Sequence, residues 1–125
     1  MKKLIIKSQK NTPEIIFDQE SDRFEISGRS FPENSKKFYL PVFKWLDSFD
    51  PGDKEITFRF QFYYISSSSI ISLLELIKKL SNLIKNGSNI SIVWAYDEDD
   101  EDIRKIGDDY SKLVSIPFIM EPIPR

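Results

Sequence analysis

The chain has 125 residues, 40% of them hydrophobic and 30% charged, which suits one compact domain with a packed core. It contains no cysteine and no histidine, which excludes disulfides, thiolate nucleophiles, zinc sites built on these residues and histidine acid–base catalysis. The formal net charge of −2 and the scattered lysines argue against nucleic-acid binding, and no apolar run approaches the ~20 residues of a membrane span.

The first half of the sequence predicts three strands and one helix. Residues 4–7 read as a first strand, because the basic and then apolar start is too short for a signal peptide, and we therefore expect a cytoplasmic protein. Residues 14–18 and 23–27 form a hairpin that Gly28 ends. A helix capped by Asn34 or Ser35 follows, and Pro41 lies either in its first turn, if it starts near Leu40, or at a kink. Its apolar face comprises Phe38, Val42, Trp45, Leu46 and Phe49.

The second half alternates strands with helices. Residues 55–65 alternate strictly and present one apolar face, which comprises Ile56, Phe58, Phe60, Phe62 and Tyr64. The later elements are a helix over 67–85 that ends at Asn86 and Gly87, a strand over 89–96, a helix over 99–114 and a strand over 118–120. Helices between successive strands imply parallel neighbours joined by right-handed crossovers. We therefore expect an α/β fold, with residues 1–125 forming one domain that packs about three helices on a mixed β-sheet.

A cluster of four serines, Ser66 to Ser69, joins the longest predicted strand to the most apolar helix. Serine is a good helix cap, because its oxygen accepts a hydrogen bond from a free backbone N–H group. The first turn also offers unpaired N–H groups and the positive end of the helix dipole, which favour a phosphate. From the residues alone, Ser67 is either a site of phosphorylation or a first-turn serine without a regulatory role.

The helix that follows the serines predicts an exposed stripe beside its buried face. A step of about 100° per residue places the core arc on Ile70, Leu73, Leu74, Ile77, Leu80 and Ile84, with Leu76 and Leu83 on its flank. Ile71 falls outside this arc, on the same side as Ser67, Glu75 and Lys78. We predict that a partner protein contacts this stripe, and the alternative is that Ile71 is an ordinary surface residue or is covered by a loop.

Residues 97–109 contain eight acidic and two basic side chains. The acids open a predicted helix, where the dipole favours negative charge, so a solvated helix start is the first interpretation. Steering of a basic partner is the second. A metal site is the third, although the run lacks the glycine turn of a calcium loop.

Several segments together resemble the SiaC family of bacterial regulatory phosphoproteins, and the resemblance covers essentially the whole chain. The segments that carry it are Thr12-Pro13-Glu14-Ile15 within residues 8–18, the Phe31-Pro32-Glu33-Asn34 turn, the junction Ser66-Ser67-Ser68, and the run from Trp94 to Asp102. The family motif Asn-Thr-Ser-Ser falls on Ser66 to Ser69, with the modified threonine at Ser67. The resemblance therefore implies phosphorylation at Ser67, with Ser66 and Ser68 as alternatives.

The resemblance also implies a STAS-like fold and a partner-switching role. A kinase would phosphorylate the hydroxyl at the helix start, and a PP2C-type phosphatase would remove the phosphate. The unphosphorylated protein would bind and stimulate a diguanylate cyclase, which raises cyclic-di-GMP and favours biofilm formation. The contact residues would then be Ser66, Ser68, Ile71, Glu75 and Lys78.

We therefore expect a cytoplasmic regulator that works by binding, not an enzyme, without cofactor or metal. The first alternative is an anti-sigma-factor antagonist with a different target. The second is a carboxylate-dependent enzyme, which the many acidic side chains permit in principle.

Overall fold

Six strands and three helices form the fold in the computed structural model, which describes residues 2–85 and 87–124. In chain order they are β1 Leu4–Ile6, β2 Glu14–Asp18, β3 Arg23–Ser30, α1 Ser35–Asp47, β4 Glu55–Ile65, α2 Ser67–Lys85, β5 Asn89–Asp97, α3 Glu101–Leu113 and β6 Phe118–Ile123. The predicted α/β class, with a mixed sheet and three helices, is confirmed. Its likeness to STAS domains stays a prediction.

The strands lie in the sheet in chain order. The first three are antiparallel neighbours, whereas β3, β4, β5 and β6 are parallel to one another. One helix connects each pair of neighbouring parallel strands, and each connection moves in the same direction across the sheet. Because such connections are right-handed, all three helices lie on one face of the sheet. The opposite face of the sheet has no helical layer in the part of the chain that the structure describes.

Aromatic side chains fill the layer between the sheet and the helices. Phe17, Phe58, Phe60, Phe62 and Trp94 are fully buried there, and Phe17 meets Phe58 edge to face with ring centroids 5.2 Å apart. The apolar residues that α2 buries completely are Leu73, Leu76, Ile77 and Leu80. Leu76 therefore belongs to the centre of the arc and not to its flank, where the 100° step predicts it.

The end of β4 departs from the predicted alternation. Tyr64, expected on the buried face, is 41% exposed, and Ile65, expected on the other face, is buried. The reason is a β-bulge, because Gly28 pairs with Phe62 and the next residue, Arg29, pairs with Tyr64. The extra residue reverses the orientation of the last two side chains and turns Ile65 into the core just before the serines.

Gly28 does not end β3, which continues to Ser30. Its φ of +123° is a conformation that glycine adopts without steric cost, so the chain passes through the irregular register and stays paired with β4. This extension brings Ser30 beside the start of α2.

Boundaries of other elements also differ from expectation. α1 begins at Ser35 with Pro41 inside it, so a start near Leu40 is wrong, and the side chain of Asn34 caps it by accepting from the Lys37 N–H at 3.1 Å. α3 begins at Glu101 and not at residue 99, because Asp100 is its cap. β6 extends beyond residue 120 through Pro122, which an edge strand tolerates.

The end of α2 agrees with expectation where the structure describes it. Gly87 has a φ of +91° and donates its N–H to the carbonyl of Ile84, as is typical of a helix stop. The predicted role of Asn86 lies outside the described residues. Among those residues, no helix combines the length and the apolar character needed to cross a bilayer.

Candidate regulatory site at the start of α2

The serine cluster lies at the sheet edge where the parallel strands end. Because β3, β4, β5 and β6 point the same way, their carboxyl ends meet at one edge, and α1, α2 and α3 all begin there. α2 follows β4, a central strand, and it contacts both other helices. A group attached to its first turn therefore lies in the middle of this edge.

The four serines divide into two buried and two exposed hydroxyls. Ser66 and Ser69 are buried, whereas Ser67 and Ser68 are exposed. Ser66 caps the helix, since its Oγ accepts from the Ser69 N–H at 3.3 Å and its carbonyl accepts from the Ile70 N–H at 2.9 Å. The hydroxyls of Ser67 and Ser68 are therefore accessible from solvent, while Ser66, named above as an alternative, is occupied in the cap. Phosphorylation of Ser67 stays a prediction.

A buried chain of hydroxyl groups holds the helix start. Ser30 Oγ donates to Ser69 Oγ at 2.8 Å, and Ser66 Oγ donates to the same atom at 3.0 Å. The hydroxyl oxygen of Tyr39 lies 2.6 Å from Ser30 Oγ. Tyr39 is the donor in this bond, because Ser30 donates its own proton to Ser69. Burial raises the pKa of the Tyr39 hydroxyl well above its usual range, although the bond with Ser30 opposes this, so it remains a donor.

Sequence reasoning missed this chain of hydroxyls. Ser30 lay beyond the predicted end of its strand, and Tyr39 was not singled out in α1. The one available signal was a tyrosine within an apolar helix face, because a buried tyrosine hydroxyl needs a hydrogen-bond partner.

Replacing Tyr39 with Phe is expected to lower the free energy of unfolding by about 1 kcal/mol, because a buried donor to Ser30 is lost while the ring still fills its place. Urea unfolding of the variant and the parent chain measures the difference. Tyr64→Phe, at a half-exposed ring, is the control and should leave the stability unchanged. An equally stable Tyr39→Phe variant would mean that the hydroxyl chain does not support the fold.

Both neighbouring helices brace the first turns of α2. Ser72 Oγ donates to Ser35 Oγ of α1 at 3.2 Å, and the Tyr110 hydroxyl of α3 donates to the carbonyl of Ile70. Together with the bonds to Ser30, these contacts fix the helix start from three sides. A charge added at Ser67 therefore changes the surface more than the fold.

The predicted stripe is exposed along its length. Ser67, Glu75 and Lys78 are exposed, and Ile71, at 63%, is the most exposed large hydrophobic side chain in the described part of the chain. The alternative that a loop covers Ile71 is therefore wrong. Contact of this stripe with a partner stays a prediction.

An aromatic cluster that we did not predict flanks the helix start. The exposed rings of Phe31 and Tyr64 lie 5.7 Å apart, and the guanidinium of Arg29 lies 5.2 Å from the Tyr64 ring centroid. The bulge in β4 creates this cluster by turning Tyr64 outward. Exposed aromatic and arginine side chains are enriched in protein interfaces.

The acidic run begins α3, as the first interpretation held. The Asp100 carboxylate accepts from the Ile103 N–H at 3.1 Å, and Glu101 and Asp102 occupy the first turn, where the dipole favours them. The run follows β5 and thus lies at the same sheet edge as Ser67. Steering of a partner by these charges stays a prediction.

Comparison with known proteins gives consistent matches over nearly the whole chain. The family model described as SiaC family regulatory phosphoprotein matches residues 6–123. An uncharacterized protein of Pseudomonas aeruginosa (strain UCBPP-PA14) is 26% identical over 122 residues, which cover 97% of each chain.

Solved structures agree with the same match. The crystal structure of apo-SiaC from Pseudomonas aeruginosa superposes with a TM-score of 0.86 at 25% identity, covering 97% of this chain and 99% of that chain. A second match is the crystal structure of the diguanylate cyclase SiaD in complex with its activator SiaC from Pseudomonas aeruginosa. It superposes with a TM-score of 0.87 at 26% identity, covering 96% of this chain and 99% of that chain.

Proposed function

Because the chain belongs to the SiaC family of regulatory phosphoproteins, we propose that it is a partner switch whose unphosphorylated form binds and activates a diguanylate cyclase. The observation that carries the proposal is the exposed Ser67 on the braced first turn of α2. The similarity to a SiaC that is the activator of SiaD supports the choice of target. The chain acts in the cytoplasm by binding and performs no catalysis of its own.

The phosphate would act on docking, not on folding. A phosphoserine carries roughly −1.5 to −2 charges and three acceptor oxygens. Its own helix tolerates it, because the first turn has free N–H groups and the positive end of the dipole. A target that covers the same surface removes water from that charge without neutralising it, which is costly. The phosphorylated chain therefore stays folded and releases its target.

Two further partners follow from this scheme. A protein kinase adds the phosphate to Ser67, and a PP2C-type phosphatase removes it. Both enzymes must approach the exposed sheet edge on which the target docks. Binding of the target and modification of Ser67 therefore exclude each other.

The test of this function is to isolate the chain from its host and analyse intact mass, phosphopeptides and bound proteins. We expect a fraction with one phosphate at Ser67, and a diguanylate cyclase bound only to the fraction without it. Adding the unphosphorylated chain to the purified cyclase should raise synthesis of cyclic-di-GMP. A different bound target, such as an anti-sigma factor, or equal binding by both fractions would overturn the proposal.

Replacing Ile71 with Asp is expected to weaken cyclase binding at least about 10-fold, because an apolar contact near the centre of the stripe becomes a charge. The melting temperature should hardly change, since the side chain is exposed. Binding is measured by calorimetry with the unphosphorylated chain. A large fall in melting temperature, or unchanged affinity, contradicts the role assigned to Ile71.

The matched control is Ile119→Asp on β6. Ile119 is 53% exposed, and it pairs with Val93 on the sheet face opposite the helices. The Ile119→Asp variant therefore tests the loss of an exposed isoleucine away from the stripe. Its affinity for the cyclase should equal that of the parent chain.

A further inference from the structure

A groove runs between the outer surfaces of α2 and α3. The two helices begin at the same sheet edge, and α2 is contacted at two levels, at Ile70 by Tyr110 of α3 and at Ser81 by Ser115, two residues after the end of α3. Near the second level the groove opens into a cavity of about 480 Å³. Lys78 and Asn82 line its α2 wall, and Lys112 and Leu113 line its α3 wall.

The groove is continuous with the stripe on α2. Lys78 belongs to both, and Ile71 lies seven residues before it, which is about 10 Å along the helix and within about 20° of the same direction. Across the cavity from Lys78, Leu113 is 58% exposed. Ile71 and Leu113 are the two most exposed large hydrophobic side chains in the described part of the chain. Leu113 lines the cavity, and Ile71 lies on the stripe that leads to it along α2.

The lower end of the groove, which is the end at the cavity and farther from Ser67, carries positive charge. Lys78 and Lys112 line the cavity together with uncharged serine and asparagine side chains, and no carboxylate lines it among the described residues. Lys112 pairs with Asp108 at 3.2 Å, but the two side chains are 70% and 47% exposed, so the pair is weak and its lysine can turn to another acid. The cavity thus complements a carboxylate of a partner.

We propose that the groove, defined by Ile71, Lys78, Lys112 and Leu113, binds an amphipathic helix of the target with a carboxylate between the two lysines. This rests on the proposed function, since the occupant is a segment of the cyclase. Ile71 and Lys78 lie about 10 Å apart along α2, so a helix packed beside α2 meets them with residues i and i+7, which lie on one face. An extended strand covers that distance in about three steps, and side chains three steps apart point to opposite faces.

The proposal also accounts for control by the phosphate. Ser67 lies one helical turn before Ile71, at the upper end of the groove. A helix bound along the groove therefore ends beside the phosphate or passes over it. The predicted acceptor and the anchor at Leu113 lie at opposite ends of one binding site.

The lower end of the groove is tested by measuring the affinity of variants of this chain for the cyclase recovered from the host. Leu113→Asp is expected to weaken binding at least about 10-fold and Lys112→Gln several-fold, with nearly unchanged melting temperatures. The controls are Ile119→Asp on the opposite sheet face and Lys54→Gln just before β4, at the sheet edge opposite Ser67, which should bind as the parent chain does. If Leu113→Asp lowers the melting temperature, Lys112→Gln decides.

Three outcomes separate this proposal from the proposed function. If Ile71→Asp weakens binding while Leu113→Asp and Lys112→Gln do not, the groove is not the binding site and the proposed function stands. If the parent chain binds no cyclase, both fail. If both walls matter and both controls are neutral, the groove is supported.

Cross-linking identifies the occupant, because the chain contains no cysteine. Leu113→Cys carrying a photoreactive label should attach to cyclase residues spaced three or four apart, the pattern of one helix face. Attachment to consecutive residues of a loop, or to a second copy of this chain, would overturn the helical occupant.

Discussion

Replacing Ser67 with Asp is expected to weaken cyclase binding by about 2 kcal/mol or more, roughly 30-fold, because the interface would bury a charge without a partner. The variant should fold as stably as the parent chain or slightly better, since the first turn of α2 favours an acidic side chain by about 0.5 kcal/mol. Affinity is measured by calorimetry and stability by urea unfolding.

The matched control is Ser67→Asn, which has nearly the size and shape of the Asp variant without its charge. If charge is decisive, Asn should weaken binding far less than Asp. Equal losses for the two variants would mean that the interface responds to bulk at Ser67. Equal affinity of all three chains would remove Ser67 from the interface.

Replacing Gly107 with Ala is expected to lower the free energy of unfolding by about 3 kcal/mol. A Cβ at this position would lie 2.5 Å from Nε1 and 2.7 Å from Cγ of Trp94, whose indole is fully buried and cannot move aside. The clash would also disturb the 3.0 Å bond from Trp94 Nε1 to the carbonyl of Ile103. Alanine stabilises a helix interior by about 1 kcal/mol relative to glycine, so the clash decides the sign.

Urea unfolding followed by tryptophan fluorescence measures this loss. Asp109→Ala is the control, because it makes a change to alanine on the exposed side of the same helix and should shift stability by less than about 0.5 kcal/mol. A Gly107→Ala chain as stable as its parent would mean that α3 lies farther from Trp94 than the structure places it.

Local periodicity explains why much of the fold could be predicted from the sequence. Residues 55–65 alternate every two positions, and the apolar side chains of α2 return at helical spacing, so each element indicates its own buried face. The exposure of Ile71 followed from the same 100° step. These predictions need only neighbours in the sequence.

Long-range contacts explain what could not be predicted. The bulge opposite Gly28 depends on the pairing of β3 with β4, and it alone decides that Tyr64 faces outward and Ile65 inward. Likewise, Ser30 and Ser69 are 39 residues apart, and no local pattern indicates that their hydroxyls meet. The groove beside Leu113 requires the relative position of two helices, which the spacing within either helix does not determine.

The division of the four serines into a buried pair and an exposed pair has a consequence for a modifying enzyme. Four chemically identical side chains follow one another, yet two face the protein interior and are already engaged. A kinase that modifies this turn would have to distinguish only Ser67 from Ser68, because the shape of the helix start already withdraws the other two hydroxyls. Sequences that vary within this tetrad can keep the same acceptor position, provided that the inward residues still close the first turn.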